Sequence, residues 1–170
     1  DSLLLRLGRA VHEAFLLPFR ARGRDVELVV REFRRLLRGF SDLRDRWSLI
    51  ESVFRKALAL SMASEEEQIP VAVEPYVPGG SVGLSDFVRP DLLVGLIPVD
   101  IALSAGGQGV ERKELALAGY ALAIEAWTGF PVDVGVVVAV QLNGDARLQW
   151  RVVRIDDSLR RRFLEARDEV

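Results

Sequence analysis

The chain has 170 residues, of which 49% are hydrophobic and 28% charged, a composition typical of one soluble globular domain with a full core. Its apolar runs at 92–99 and 134–140 are much shorter than the ~20 residues of a membrane-spanning helix. No signal peptide is visible at the N-terminus, so we expect a cytoplasmic protein without a membrane partner. The absence of cysteine excludes disulfides, thiolate zinc sites and iron–sulfur ligands within these residues. Because the chain begins with Asp rather than Met, we expect a trimmed piece of something longer.

Charge is distributed unevenly along the chain. Residues 1–60 carry 13 basic and 8 acidic side chains, whereas residues 61–150 carry 4 basic and 12 acidic ones. Basic helices around an acidic centre suit a metal-dependent enzyme that acts on a polyanion. Ordinary solvated helix faces are the alternative explanation. The scarcity of thermolabile residues suggests a hot source, although thermophile proteins are more commonly enriched in Lys, and Lys is rare in this chain. A GC-rich genome would explain the excess of Arg over Lys.

Hydrophobic spacing predicts three helices in the first third of the chain. They span 2–22, 25–38 with Gly39 as the stop, and a stretch from Ser41 or Asp42 to about Met62. The acidic run at 65–67 is expected to be a solvated loop.

Alternation and turn residues then predict strands, at 69–77, 81–88, 91–95 and 97–103. A flexible loop at 104–109 leads to a helix at 110–128. Two further strands follow at 133–141 and 147–155, joined by the hairpin turn Asn143-Gly144, and Asp156 or Asp157 caps a last helix.

This order of elements favours an α/β fold, with a mixed central sheet flanked by helices and an N-terminal helical region. We expect a single domain over 1–170. Its parts are a helical region at 1–64, a sheet core at 69–156 with the helix 110–128, and a C-terminal helix at 157–170.

Two aspartates, Asp91 and Asp100, are separated by eight residues and lie on consecutive predicted strands. Adjacent strands can bring two such carboxylates together, and a buried pair requires a cation such as Mg²⁺ or Mn²⁺. A metal held there would activate water and neutralise charge on a phosphodiester. Asp100 is the more informative residue, because it lies in the apolar segment IPVDIAL, where an unpaired charge is costly. The alternative is a strand-end carboxylate that caps a turn or pairs with Arg89.

Three further residues are candidates for the same site. The only histidine, His12, is on the first helix, and Glu74 is on the first strand; both are candidate metal ligands. Tyr120, on the helix after the second acidic strand, can contact a substrate phosphate. A packing histidine, an exposed strand glutamate and a core tyrosine are the respective alternatives.

Several segments, taken in order, carry a family resemblance: GRAVHEAFLLPF, GLSDFVRPDLLV, PVDIALS, ELALAGYALAIEAWTGFPVDVGVVV and DDSLRRRFLEARDEV. Together they resemble the archaeal a-type branch of the CRISPR-associated RecB-like nucleases, the Csa-one or Cas-four group, over nearly the whole chain. The resemblance implies a PD-(D/E)XK nuclease fold and divalent-metal-dependent exonuclease cleavage of single-stranded DNA ends. It also implies a role in processing new spacers for antiviral defence, beside the CRISPR integrase.

The resemblance assigns roles to individual positions: His12, Asp91, Asp100 and Tyr120 match family motif residues, and Glu74 matches less securely an acidic residue on the first strand. The sequence departs from the family at three points. Ala102 stands where the motif lysine belongs, Ala116 stands where many relatives have glutamine, and the cysteines for the family's iron–sulfur cluster are absent.

Loss of the motif lysine raises the question of what could replace it. Residues 113, 116, 117 and 120 share one face of the predicted helix. We therefore hypothesise that Lys113 reaches the site from the helix, beside Tyr120.

Two CRISPR-related functions remain open from the sequence, and the third interpretation is a structural nuclease-fold domain unrelated to CRISPR. In the first two, the chain is either an active or weakened nuclease, or a non-enzymatic subunit of the CRISPR adaptation complex that binds DNA or protein. In the second case the helical third would contact phosphates through its arginines, namely Arg34, Arg35, Arg38, Arg44 and Arg46. A homo-oligomer is compatible with both.

Overall fold

The computed structural model describes residues 2–104, 108–141 and 147–169. Contacts between Cα atoms divide the chain into two compact units. Unit 1 comprises Asp1–Pro70 and Gln141–Leu148, and unit 2 comprises Val71–Val140 and Gln149–Val170. Among the described residues, none of the helices is both long enough and apolar enough to cross a membrane.

Unit 1 is built from helices. They are α1 (Leu3–Arg20), α2 (Val26–Arg38), a 3₁₀ helix (Ser41–Arg46) and α3 (Trp47–Glu66). The core lies where α1 and α3 pack together, and the rings of Phe33 and Phe54 stack at 4.0 Å between α2 and α3. Pro18 lies inside α1, and its carbonyl accepts a hydrogen bond from the buried Ser61 hydroxyl. The helices predicted from apolar spacing are therefore present.

The acidic run at the end of α3 was predicted to be a loop, and that prediction is wrong for its first two residues. The helix continues through Glu65 and Glu66 and is capped at Glu67. A helical position suits Glu65, because its carboxylate accepts a hydrogen bond from the backbone N–H of Gly23.

Unit 2 contains a mixed five-stranded sheet in the order β1-β4-β5-β6-β7 and a small two-stranded sheet, β2-β3. The strands are β1 (Val71–Val73), β2 (Val77–Pro78), β3 (Phe87–Val88), β4 (Leu92–Val94), β5 (Ile97–Ser104), β6 (Val134–Gln141) and β7 (Arg147–Arg154). The helices are α4 (Gln108–Thr128) and α5 (Asp157–Asp168). Helix α4 packs on β5 and on α5. The predicted α/β class with helices beside a mixed sheet is confirmed.

Two long strands predicted between 69 and 88 are largely wrong, because backbone conformation interrupts both. Glu74 has φ +44°, a left-handed conformation that ends β1 and separates it from β2. In the second segment, a 3₁₀ turn at Gly80–Val82 and the left-handed Gly83 leave only Phe87–Val88 as strand. The predicted Asn143-Gly144 turn and residues 105–107 of the predicted 104–109 loop lie outside the described residues. The ends of that loop prediction are wrong, since Ser104 belongs to β5 and Gln108 begins α4.

The core of unit 2 lies between the sheet and helix α4. Its buried residues include Ala102 on β5 together with Leu117, Ala121 and Ile124 on α4. Gly119 allows close contact between α4 and α5, since a Cβ at this position would lie 2.7 Å from the ring of Phe163. The packing of α5 therefore fixes the position of the helix that faces β5.

Candidate active site

Asp91 and Asp100 face each other across two antiparallel strands. Strands β4 and β5 pair with Leu92 opposite Val99, and continuing this register by one residue places Asp91 opposite Asp100. The backbone N–H of Asp91 donates to Oδ1 of Asp100 at 3.0 Å. In return, Oδ2 of Asp91 accepts from the backbone N–H of Ile101 at 2.8 Å. Each carboxylate is thus held by the backbone of the other strand, and the pair that the eight-residue spacing predicts is formed.

Asp100 lies almost completely out of solvent, with 2% of its side chain exposed. Burial, together with the nearby charge of Asp91, raises its pKa to about 6. The Lys113 ammonium and the backbone N–H of Asp91 act in the opposite direction and favour the ionised form. Like charges directly opposite each other on paired strands are destabilising, so a cation near the two carboxylates stabilises the pair.

Two side chains from α4 lie close to Asp100. The Nζ atom of Lys113 lies 3.4 Å from Oδ2 of Asp100, and 38% of the lysine side chain is exposed. The Tyr120 phenol also lies near the pair, where burial and the charges of Asp100 and Asp91 raise its pKa well above the usual value. A phenol that stays protonated can donate a hydrogen bond to a carboxylate. The alternative pairing of Asp100 with Arg89 is not what the structure shows, since the cation at Asp100 is Lys113.

Glu74 is joined to the site through its backbone. Its N–H donates to the carbonyl of Asp91 at 2.9 Å, and its carbonyl accepts from Nε of Arg89 at 3.1 Å. Its carboxylate lies 3.9 Å from Nη2 of Arg89. Among residues 2–104, 108–141 and 147–169, no three His, Asp or Glu side chains form a group that could hold a metal. Any cation at the aspartate pair would therefore draw part of its coordination from water or substrate oxygens.

The other predicted site residues lie in unit 1. His12 is on α1, with Nδ1 3.8 Å from a carboxylate oxygen of Glu13. The arginines predicted to bind DNA lie on α2 and on the 3₁₀ helix that follows it, and their side chains reach the surface: Arg34, Arg35, Arg38, Arg44 and Arg46.

Sequence reasoning missed a group of exposed residues beside the aspartate pair, namely Tyr76, Phe87 and Arg89. The pairing of β2 with β3 brings these side chains together. The sequence signal for this hairpin was the tight turn between two short apolar segments. Because both strands were predicted to be too long, the pairing of their residues could not be derived from it.

Comparison with known proteins identifies the family. The family model described as CRISPR-associated exonuclease Csa1 matches residues 36–170. Two curated proteins of that name are similar to the chain: one from Thermoproteus tenax is 35% identical over 100 residues, and one from Saccharolobus solfataricus is 36% identical over 102 residues. Each alignment covers 59% of this chain and 34% of the relative, so the matched part spans about a third of those proteins.

A solved structure supports the fold independently. A crystal structure of a candidate exonuclease from Eubacterium rectale superposes with a TM-score of 0.54 at 13% identity, covering 99% of this chain and 65% of that one. At this identity the likeness concerns the fold alone. The family model matches most of this chain, and this match gives the assignment: the chain belongs to the CRISPR-associated exonuclease Csa1 family.

Proposed function

We propose that this chain carries a divalent-metal-dependent nuclease centre that hydrolyses phosphodiester bonds at single-stranded DNA ends, and that it does so beside the CRISPR integrase during adaptation. The observation that carries the proposal is the pair formed by Asp91 and Asp100, in which each carboxylate accepts a hydrogen bond from the opposite strand's backbone. The names of the related proteins support the nuclease part of the proposal.

The donor set at the pair fits Mg²⁺ or Mn²⁺. Mg²⁺ is commonly bound through one or two carboxylates while keeping several waters and taking up substrate phosphates. Asp91 and Asp100 supply two carboxylates whose mutual repulsion a divalent cation would relieve. The other coordination positions would be filled by water and phosphate oxygens, because no three His, Asp or Glu side chains form a metal-binding group among the described residues. The ligand roles of His12 and Glu74 stay predictions from the sequence. An iron–sulfur cluster does not fit the residues present, because the chain contains no cysteine.

The proposed chemistry divides among the side chains of unit 2. When bound, the metal supplies an activated water and neutralises phosphate charge. Lys113 orients the attacking water and stabilises the negative charge that develops on the phosphoryl oxygens. Tyr120 donates to Asp100, which keeps this carboxylate oriented towards the site. The bond from phosphorus to the leaving oxygen breaks as the bond from water to phosphorus forms. The attacking water releases one proton to solvent, and the leaving oxygen takes one up from solvent.

The position of Lys113 supports its role in place of the missing strand lysine. Its ammonium lies between solvent and the buried Asp100 carboxylate, 3.4 Å from Oδ2, whereas Ala102 is buried in the apolar core. Removing such a charge-stabilising group costs about 10²–10³ in rate. We therefore expect that loss in kcat for Lys113→Ala, with partial retention in Lys113→Arg.

The chain offers a matched control and a rescue for this test. Lys56, the only other lysine, lies on α3 in unit 1, and Lys56→Ala is expected to keep full activity. In the double variant Lys113→Ala with Ala102→Lys, the ammonium returns to the strand, and part of the activity should return with it. Full activity of Lys113→Ala alone would remove Lys113 from the mechanism.

The nuclease proposal itself is tested with a labelled single strand, incubated with Mn²⁺ or with EDTA. The wild-type chain should shorten the strand only with metal, and Asp91→Ala should abolish cleavage. Asp86→Asn, a change at an exposed carboxylate, is the matched control and should cleave normally. Equal cleavage by wild type and Asp91→Ala would contradict the proposal.

A second candidate function is that of a non-catalytic DNA-binding subunit of the adaptation complex. The burial of Ala102 at the position of the motif lysine favours it, as do the surface arginines of unit 1. In that case neither Mg²⁺ nor Mn²⁺ would produce cleavage. DNA would still bind, with an affinity that falls steeply as the salt concentration rises. Replacing Arg34 and Arg38 with glutamine would reduce the slope of log K against log salt by about one for each phosphate that the replaced arginine had neutralised.

A further inference from the structure

Three large side chains next to the aspartate pair are exposed on one face of the β2-β3 hairpin. Tyr76 is 63% exposed and Phe87 is 56% exposed, and 45% of the Arg89 side chain is exposed. The rings of Tyr76 and Phe87 meet edge to face at 5.8 Å and 79°. The Arg89 guanidinium lies over the Tyr76 ring, 4.3 Å from its centroid. These three residues are called the aromatic patch below.

The register of the hairpin determines this exposure. Val77 pairs with Val88 and Pro78 pairs with Phe87, and continuing the register places Tyr76 opposite Arg89. Side chains alternate between the faces of a strand. Because Val77 is buried and Val88 packs against the core of unit 2, their neighbours point to the opposite, solvent-facing side. The aromatic patch is thus an ordered surface that contributes little to the core.

A chain of hydrogen bonds connects the aromatic patch to the aspartate pair. Nε of Arg89 donates to the carbonyl of Glu74, and the N–H of Glu74 donates to the carbonyl of Asp91. Arg89 is also only two residues from Asp91 in the sequence. The patch is therefore held at a fixed position beside the carboxylates.

The patch combines two exposed rings with one guanidinium, which also lies 3.9 Å from the Glu74 carboxylate, and this combination suits an aromatic ligand that carries phosphates. Arg89 is the only basic residue between Lys56 and Arg112 in the sequence, and it lies over an exposed ring. Single-stranded nucleic acids bind through rings on which bases stack, beside cations that contact the backbone, and a guanidinium over a ring strengthens such a site. Bases inside a duplex are covered by their neighbours and cannot stack on a protein ring in this way.

We propose that the aromatic patch binds unpaired bases of a single-stranded nucleic acid, next to the scissile phosphate. Tyr76 and Phe87 supply the stacking surfaces, and Arg89 contacts the strand as a cation. This inference rests on the proposed nuclease function, which it deepens by naming where the strand is held. It would also explain why unpaired DNA ends are preferred over paired ones.

The test measures binding in EDTA, so that it is independent of cleavage. The probe is a fluorescent oligo-dT of twelve nucleotides, compared with an abasic strand of equal length and with a blunt duplex. We expect Tyr76→Leu to weaken oligo-dT binding about 10-fold, which corresponds to the loss of one stacked base. Tyr76→Trp should retain the affinity, because the stacking surface is kept. Neither change should alter duplex binding.

Trp127→Leu is the matched control, since Trp127 is also exposed and lies in unit 2 on α4. It should bind oligo-dT as the wild type does. A circular dichroism melt of each variant verifies folding. If Tyr76→Leu unfolds, the comparison of oligo-dT with the abasic strand, made on the wild type, still tests the proposal. Equal affinity for the abasic strand and oligo-dT would overturn the proposal, as would an equal loss in Trp127→Leu or absence of oligo-dT binding. Binding of oligo-dT by the wild type without any cleavage in Mn²⁺ would contradict only the nuclease function.

Discussion

Replacing Asp100 by asparagine removes a buried charge and keeps the side-chain shape. The amide of the new side chain retains an oxygen that can accept from the N–H of Asp91, the bond measured at 3.0 Å in the wild type. Burial and the charge of Asp91 raise the pKa of Asp100 from 3.8 to about 6 in the folded protein. This shift of roughly two pKa units corresponds to about 3 kcal/mol between the protonation states. Without metal at pH 8, we therefore expect the variant to be more stable than the wild type by up to about 3 kcal/mol.

The sign of the pH dependence follows from the direction of the shift. A raised folded-state pKa means that the folded wild type binds the proton more tightly than the unfolded chain does. The stabilisation from protonated Asp100 is complete below pH 3.8 and is lost as the pH rises through about 6. The advantage of Asp100→Asn should therefore be small near pH 4, grow between pH 4 and 6, and level off above that range.

Urea unfolding followed by circular dichroism, in EDTA at steps from pH 4.5 to 8, measures this difference. Asp86→Asn provides the matched control and should follow the wild-type profile, because Asp86 is exposed. The reasoning would be refuted if Asp100→Asn were no more stable than wild type at pH 8, or if the difference did not change with pH. Either result would mean that the charge of Asp100 is well solvated or fully compensated by Lys113.

Three other measurements test the site and its support. Mn²⁺ at one hundred times its dissociation constant should stabilise the wild type by about 2.7 kcal/mol and leave the stability of Asp100→Asn nearly unchanged. Thermal melts at several metal concentrations measure this difference. An equal shift in both proteins would contradict metal binding at the pair. Arg160→Met should destabilise the fold by about 2–4 kcal/mol in urea titrations. The guanidinium is the shared hydrogen-bond donor to the carbonyls of Val132 and Ile155 and to the Glu125 carboxylate, and all three would lose it. A change below about 1 kcal/mol would show that water replaces the guanidinium. Gly119→Val should lower the free energy of unfolding by about 1–3 kcal/mol, because even a Cβ at this position would lie 2.7 Å from the ring of Phe163. Adding Phe163→Leu to the same chain removes the ring and should recover part of the loss.

The helices and the long strands β5, β6 and β7 could be predicted because they depend on local patterns. Apolar spacing marks α1 and α4, and the Asp-x₈-Asp spacing predicts two opposed carboxylates on neighbouring strands. The register of β4 and β5 places the two aspartates opposite each other. Helical spacing likewise predicts that Lys113 and Tyr120 share a face, and both lie close to Asp100. Their chemical roles remain predictions.

Features set by a single backbone angle could not be predicted in this way. The left-handed conformation of Glu74 is unfavourable for a residue with a side chain, and nothing in the alternating segment 69–77 indicates it. This one residue divides the expected strand and moves Tyr76 into a separate hairpin. The aromatic patch therefore depends on tertiary structure, which explains why residue types alone did not indicate it.

The contact between Lys113 and Asp100 has a mechanical consequence. A lysine two residues after Asp100 would share its strand, and its distance from the carboxylate would be fixed by one stretch of backbone. Here the ammonium belongs to α4, so the position of that helix on the sheet determines whether the ammonium reaches the carboxylate. A slip of one residue along the helix axis would move Lys113 by ~1.5 Å and turn it by ~100°. Since Gly119 and Phe163 set how closely α5 packs on α4, the position of Lys113 at the site also depends on a second face of α4, the one that packs on α5.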